Sequence, residues 1–84
     1  MWFVYFLRSA NKNWYYVGST DNIERRLSEH NSAKVTSTKH HIPLSLVHKI
    51  EFQDERSARA YERRVKKQRL LKEDIIRTIE EQNS

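Results

Sequence analysis

Cysteine is absent from this 84-residue chain, and glycine and proline occur once each. Without cysteine there is no disulfide framework and no thiolate metal site, so a fold this small must hold by packing alone. With so little glycine and proline there is no flexible linker and no low-complexity tract, and the length leaves room for one domain over residues 1–84. Long apolar runs are missing too; the longest is a handful of residues, against the ~20 that a membrane-spanning helix needs. Met1-Trp2-Phe3 carries no basic n-region, so no secretory leader is expected and the setting is read as cytoplasmic. Hydrophobic residues make up only 37%, so the 11% that are aromatic must supply much of the core.

What the chain has in excess is positive charge, a formal +5 with a pI near 9.7. Eight of the sixteen cations fall between Arg56 and Lys72 with a single acid, Glu62, so that segment is +7 and the rest of the chain −2. Such a segment reads either as a solvated helix face or as a surface for a polyanion. Few acids stand at i,i+4 within it, so mutual repulsion would persist without a partner, and a phosphate backbone would relieve it. Nucleic acid is favoured over an anionic membrane, because the segment lacks the large aromatic face of an interfacial helix.

Trp2 to Leu7 is almost wholly apolar, aromatic and β-branched, and reads as a strand buried on both faces. A polar turn over Ser9 to Asn13 leads into a second strand, Trp14-Tyr15-Tyr16-Val17, giving a hairpin. Asp21 is placed to cap a helix with Glu24 in the capping-box position, and Ile23 and Leu27 form its apolar side. Residues 31–43 are polar and aperiodic, a long loop of the kind that tends to be functional. Leu46, His48, Ile50 and Phe52 alternate with Val47, Lys49 and Glu51 in a half-exposed third strand. Asp54 caps a second helix with the stripe Ala58, Tyr61 and Val65; Leu71, Ile75, Ile76 and Ile79 continue the pattern, as one bent helix or two. The order β-β-α-β-α-α predicts an α+β domain, a small three-stranded antiparallel sheet flanked by helices.

Several residues in this frame have chemical potential. Gly18 marks a turn, or a place with no room for Cβ, or a close approach to a ligand. Tyr5 and Tyr16 stand on strands that the hairpin makes neighbours; as phenols with an ordinary pKa of ~10 they need a nearby cation to take part in proton transfer. Otherwise they are core residues. Arg26 and His30 are spaced i,i+4 on the edge of the helix stripe, an ordinary surface pair or a phosphate fork beside a proton carrier. Glu62 either pairs with Arg59 or Lys66 across a turn or offers a hard oxygen ligand to a divalent ion at a phosphate site. His40, His41 and His48 have no metal-ligand spacing.

Together these residues resemble the GIY-YIG nuclease superfamily. Phe3-Val4-Tyr5 stands in place of its Gly-Ile-Tyr, and Tyr16-Val17-Gly18 in place of its Tyr-Ile-Gly. Arg26 and His30 match the arginine of the following helix and the His or Tyr after it. The helix Ala58-Arg59-Ala60-Tyr61-Glu62 resembles the one that carries the glutamate ligand. The likeness runs over about residues 2–76 and is greatest to small stand-alone members, with the N-terminal domain of an excinuclease component and some homing endonucleases as larger relatives. Phe3 departs from the motif's first glycine, and loop residues Lys34 to Lys39 depart from the Lys-Tyr-Thr-Arg pattern of small members.

The resemblance implies metal-dependent hydrolysis of DNA phosphodiester bonds, in repair or recombination, by an enzyme working with a single Mg²⁺ or Mn²⁺. On that reading Tyr5 or Tyr16 activates water, Arg26 stabilises phosphate charge, His30 assists proton transfer and Glu62 holds the ion. Arg25, Arg59, Arg63, Lys66 and Lys67 would line the nucleic-acid path, DNA first with RNA also fitting. A monomer is expected, with room for a protein partner that supplies specificity. Two other functions fit the same composition: a nucleic-acid-binding module that cuts nothing and uses residues 56–72, and an adaptor whose basic helix meets an acidic protein.

Overall fold

Alternation of side chains along Trp2–Ser9, the first strand β1, puts Val4 and Phe6 on one face and Tyr5 and Leu7 on the other, all four buried. A strand covered on both faces belongs in the middle of a sheet. In the computed structural model, which describes residues 1–82, β1 is indeed central. It pairs antiparallel with β2, Tyr15–Thr20, on one side and with β3, Leu44–Phe52, on the other. Helix α1 is Ile23–Asn31; α2, Glu55–Lys67, and α3, Arg69–Gln82, follow β3. The α+β order and the three-stranded antiparallel sheet are as the sequence predicts.

The helices divide between the two faces. Ile23 and Leu27 of α1 pack on the face of Tyr5, Leu7 and Leu44. Ala58 and Val65 of α2 and Ile79 of α3 pack on Val4, Phe6 and Val17. Each large apolar side chain buried here contributes roughly 1.5–3 kcal/mol, which lets a chain without disulfides hold two thin cores.

Local details depart from the sequence reading in three places and settle an open alternative in a fourth. The cap of α1 is Asn22, whose Oδ1 accepts from Arg25 N at 3.1 Å, and not Asp21, whose carboxylate instead pairs with the Arg25 side chain at 2.9 Å. The second strand runs on to Thr20, so Gly18 is a mid-strand residue; its φ is not positive, and lack of room, not a turn, explains it. Register shifts between Phe6 and Leu7, leaving Val47 as an extra residue in β3. A bulge of this kind resets side-chain parity, so Leu46 joins the core beneath α1 while Phe52 joins the core beneath α2. Finally, Gln68 leaves helical geometry at φ −102° and ψ 93°, so the C-terminal pattern is two helices. Asp54 caps α2 as expected, accepting from Ser57 N at 2.8 Å, and that bond holds its carboxyl below the usual range.

The basic segment is less unpaired than its own composition suggests. Arg59 bonds Glu55, Lys66 bonds Glu62 and Arg69 bonds Glu73, each at i,i+4. Two of those acids lie just outside residues 56–72, where a count confined to the segment misses them. Among the described residues no helix is long and apolar enough to cross a membrane.

Candidate active site

The site lies where β2, an edge strand, runs between the two layers. Strand parity turns Tyr16 and Gly18 toward the α1 face and Val17 and Ser19 toward the α2 face. Tyr5 is the cross-strand partner of Gly18. A Cβ at Gly18 would lie 2.5 Å from the Tyr5 hydroxyl oxygen, 2.7 Å from its Cζ and 3.0 Å from Tyr16 Cε2. Glycine is therefore required at this position so that the Tyr5 phenol has room over β2. The rings of Tyr5 and Tyr16 are 6.3 Å apart, tilted by 40°.

Behind Tyr5 is a buried polar chain. Its hydroxyl is 3.0 Å from His30 Nε2, and His30 Nδ1 is 2.8 Å from Thr38 Oγ1. Thr38 in turn donates to the Val35 carbonyl at 3.4 Å. His30 and Thr38 are both 0% exposed. A neutral imidazole with its proton on Nδ1 completes the whole series: Tyr5 O–H donates to Nε2, Nδ1–H donates to Thr38, and Thr38 donates to Val35. That tautomer is assigned from the partners. Of the i,i+4 pair expected together at the helix edge, only Arg26 is there; His30 points inward, where the last turn of α1 meets the loop.

Burial raises the Tyr5 hydroxyl to about 12, although the Arg26 guanidinium beside it pulls the other way. It is a phenol at neutral pH. Burial, reinforced by the positive charge of Arg26, lowers His30 below its ordinary 6.5. Arg26 is held by Glu29, whose carboxylate accepts from Nη1 at 3.0 Å and raises the pKa of the guanidinium further. Both partners keep about a third of their side-chain surface, 35% and 34%. The fork is thus steadied from one side and open on the other.

The depressed His30 has a consequence for stability. Below pH 6.5 the unfolded chain takes up a proton at His30 that the folded chain refuses. Stability is therefore full above 6.5 and falls as the pH drops below it. Urea midpoints should be lower at pH 5.5 than at pH 7.5, with a shallower difference in His30→Gln, which has no ring to charge. Equal midpoints in the wild type would contradict this buried, neutral assignment.

Glu62 comes from the opposite layer. It accepts from Ser19 Oγ at 2.5 Å through one oxygen and from Lys66 Nζ at 2.7 Å through the other. Ser19 thus carries the carboxylate to the edge of β2. An open cleft of about 330 Å³ spans the edge, bounded by Tyr5, Tyr16, Gly18, Arg26 and Glu62, with Trp2 at its rim. The Arg59 guanidinium lies 5.3 Å above the Trp2 ring. Arg25 lines the cleft while paired to Asp21, and a second groove of about 220 Å³ continues along α2 between Arg59, Arg63 and Lys66. Lys67 is exposed at the end of α2.

The family model described as the GIY-YIG catalytic domain matches residues 1–74. The chain belongs to that family. GIY-YIG domains are usually nucleases. The UPF0213 protein YsiG of Lactococcus lactis is 33% identical over 90% of this chain and 80% of its own length. A UPF0213 protein of Nitratidesulfovibrio vulgaris is 38% identical over 81% of this chain, which spans 62% of that relative. The solution NMR structure of a UPF0213 protein from Bacillus halodurans is 30% identical, with a TM-score of 0.56 over 93% of this chain and 85% of that one. These relatives are small GIY-YIG proteins, in line with the resemblance that the sequence motifs carry.

GIY-YIG nucleases generally depend on a divalent metal. Among the described residues no group of three or more His, Cys, Asp or Glu side chains is placed to enclose an ion. The donor set fits a different type of site. Each Glu62 oxygen keeps a lone pair beyond its present bond, and Mg²⁺ commonly binds through one or two carboxylates while retaining most of its water. Two contributors escaped the sequence reading. Ser19 was legible only from strand parity beyond Val17, and Thr38 sits in an aperiodic loop that carries no pattern at all.

Proposed function

We propose that the chain is a divalent-metal-dependent endonuclease that hydrolyses DNA phosphodiester bonds, in repair or recombination. One observation carries the reading: two tyrosines, an arginine fork and a carboxylate, drawn from four elements and both faces of the sheet, border a single open cleft. Phosphoryl hydrolysis asks for little beyond positioning and charge neutralisation, and these groups suit that demand. The continuous basic groove along α2 offers a path for the backbone on either side of the cut.

In this reading a phosphate oxygen takes the open side of the Arg26 fork. An attacking water lies against the Tyr5 hydroxyl oxygen and gives it a proton, while the Tyr5 proton passes to His30 Nε2. No free phenolate forms, which matters for a hydroxyl whose pKa is about 12. As the water oxygen bonds to phosphorus the P–O bond to the leaving sugar oxygen breaks, and that oxygen takes a proton from solvent in the open cleft. The imidazolium keeps its Nδ1–H on Thr38 and afterwards returns its Nε2 proton through Tyr5. Tyr16 shapes the cleft wall beside Tyr5. Glu62 would hold Mg²⁺ or Mn²⁺, which when bound supplies Lewis-acid charge to the phosphate.

The test incubates the purified chain with supercoiled, branched and single-stranded DNA and with RNA, in Mg²⁺, Mn²⁺ or EDTA, beside Glu62→Gln. Cleavage is expected with metal and should be lost with EDTA and in Glu62→Gln. Cleavage that survives both would identify a contaminant. Salt-sensitive binding with no cleavage of any substrate would make the chain a nucleic-acid-binding module that uses α2.

A further inference from the structure

Glu62 already has a cation. The Lys66 ammonium lies 2.7 Å from Oε2 and, at the same time, 5.3 Å from the centre of the Tyr16 ring, so it spans the carboxylate and the cleft wall. The order Glu then Lys at i,i+4 is the favourable one on a helix. Arg59 lines the same groove but its Nε is bound to Glu55 at 2.6 Å, and no ion pair joins Glu62 to any other cation among the described residues. The Glu62 side chain is 18% exposed and the Lys66 side chain 46%, so the carboxylate is anchored while the ammonium can swing outward.

We propose that Lys66 is a resident counter-ion at the cation seat of Glu62: it competes with the divalent metal for the carboxylate, sets the metal affinity, and once displaced turns to phosphate. The inference rests on the reading of Glu62 as the metal ligand. Oε2 keeps a lone pair for the metal, but a divalent charge placed beside the Lys66 ammonium, itself 2.7 Å from that oxygen, repels it, so entry of the metal drives Lys66 off the carboxylate. Lys66 already lines the groove with Arg59 and Arg63, so the ammonium released from Glu62 stays within reach of a phosphate on the backbone path. Metal binding and backbone binding would then reinforce one another, since a phosphate gives Lys66 a destination and Glu62 is freed. Ser19 keeps its bond to Oε1 throughout and holds the carboxylate in place.

Mn²⁺ binding to the full chain, followed by the EPR signal of free Mn²⁺ without nucleic acid, tests this directly. Lys66→Met should tighten Mn²⁺ binding roughly fivefold, the upper range for a partly exposed ion pair. Lys67→Met removes the same charge from the same helix and should change it less than about twofold, because Lys67 has no bond to Glu62. Lys66→Arg keeps a cation on the carboxylate and should stay within about twofold of the wild type. Equal tightening in Lys66→Met and Lys67→Met would reduce the effect to net charge and overturn the proposal. If Glu62→Gln loses Mn²⁺ while Lys66→Met binds like the wild type, the counter-ion role falls and the ligand role stands. If the wild type binds no better than Glu62→Gln, both fall together.

Discussion

Gly18→Ala should abolish cleavage and also destabilise the fold, though only one methyl group is added. A glycine-to-alanine change in a strand with ordinary φ would by itself stabilise by about 0.4–1 kcal/mol, through lost freedom of the unfolded chain. Here the new Cβ would lie 2.5 Å from the Tyr5 hydroxyl oxygen and 2.7 Å from its Cζ. The phenol cannot give way cheaply, because Tyr5 is 2% exposed, bonded to His30 and backed by Leu7 and Leu44. Overpacking of this kind costs about 1–3 kcal/mol, which outweighs the gain. The net loss expected in chemical denaturation is about 1–2 kcal/mol. Nuclease activity should fall at least ~100-fold, since a reacting group moved by about 1 Å loses its alignment. A folded Gly18→Ala variant with wild-type cleavage would show that Tyr5 is not where the reaction needs it.

Arg26→Ala should be as damaging to activity and nearly silent in stability. The guanidinium is the one cation in the cleft that touches both the Tyr5 environment and the open space beside it. Removing a positioned donor of this type costs about 10²–10³ in kcat. Its pair with Glu29 is a third exposed on each side, so stability should change by no more than about 1 kcal/mol. Arg26→Lys should recover only part of the rate, because a point charge cannot hold a phosphate as a fork does. Without Arg26 the Tyr5 hydroxyl also loses its main downward influence, so a more alkaline pH should not rescue the alanine variant. The decisive measurement is single-turnover cleavage beside a thermal melt. Loss of both together would mean that Arg26 acts through folding.

The residues bordering the cleft were legible because helix and strand periodicities are short-range and regular. Tyr5, Tyr16, Arg26 and Glu62 each occupy a position that a local pattern can place on a face. His30 was legible as a spacing but not as a depth. Its burial depends on Thr38, which reaches it across a loop that follows no period. Gly18 was visible as the chain's single glycine, yet its reason lies in a phenol thirteen residues earlier, which only strand register reveals. The cap moved by one residue for a local cause: Arg25 attracts the Asp21 side chain, and Asn22 is left to accept the helix N–H. The bulge at Val47 was hidden because every residue around it is apolar or alternates plausibly in either parity.

One side chain ties together the two ends of the loop between α1 and β3. Asn31 donates through Nδ2 to the Leu44 carbonyl at 2.9 Å and accepts the Leu44 N–H on Oδ1 at 2.7 Å, pairing as a strand residue would. Everything between those two residues is in effect a cassette with fixed ends. Its length is cheap to alter, since doubling a flexible loop costs only about 0.6 kcal/mol in closure entropy. What must be kept includes a hydroxyl at the right depth for the His30 ring. Loop exchange in this chain therefore has a design rule: keep the asparagine clamp, the inward hydroxyl, Ile42 on the core and the ring that stacks on Trp14, and vary the rest.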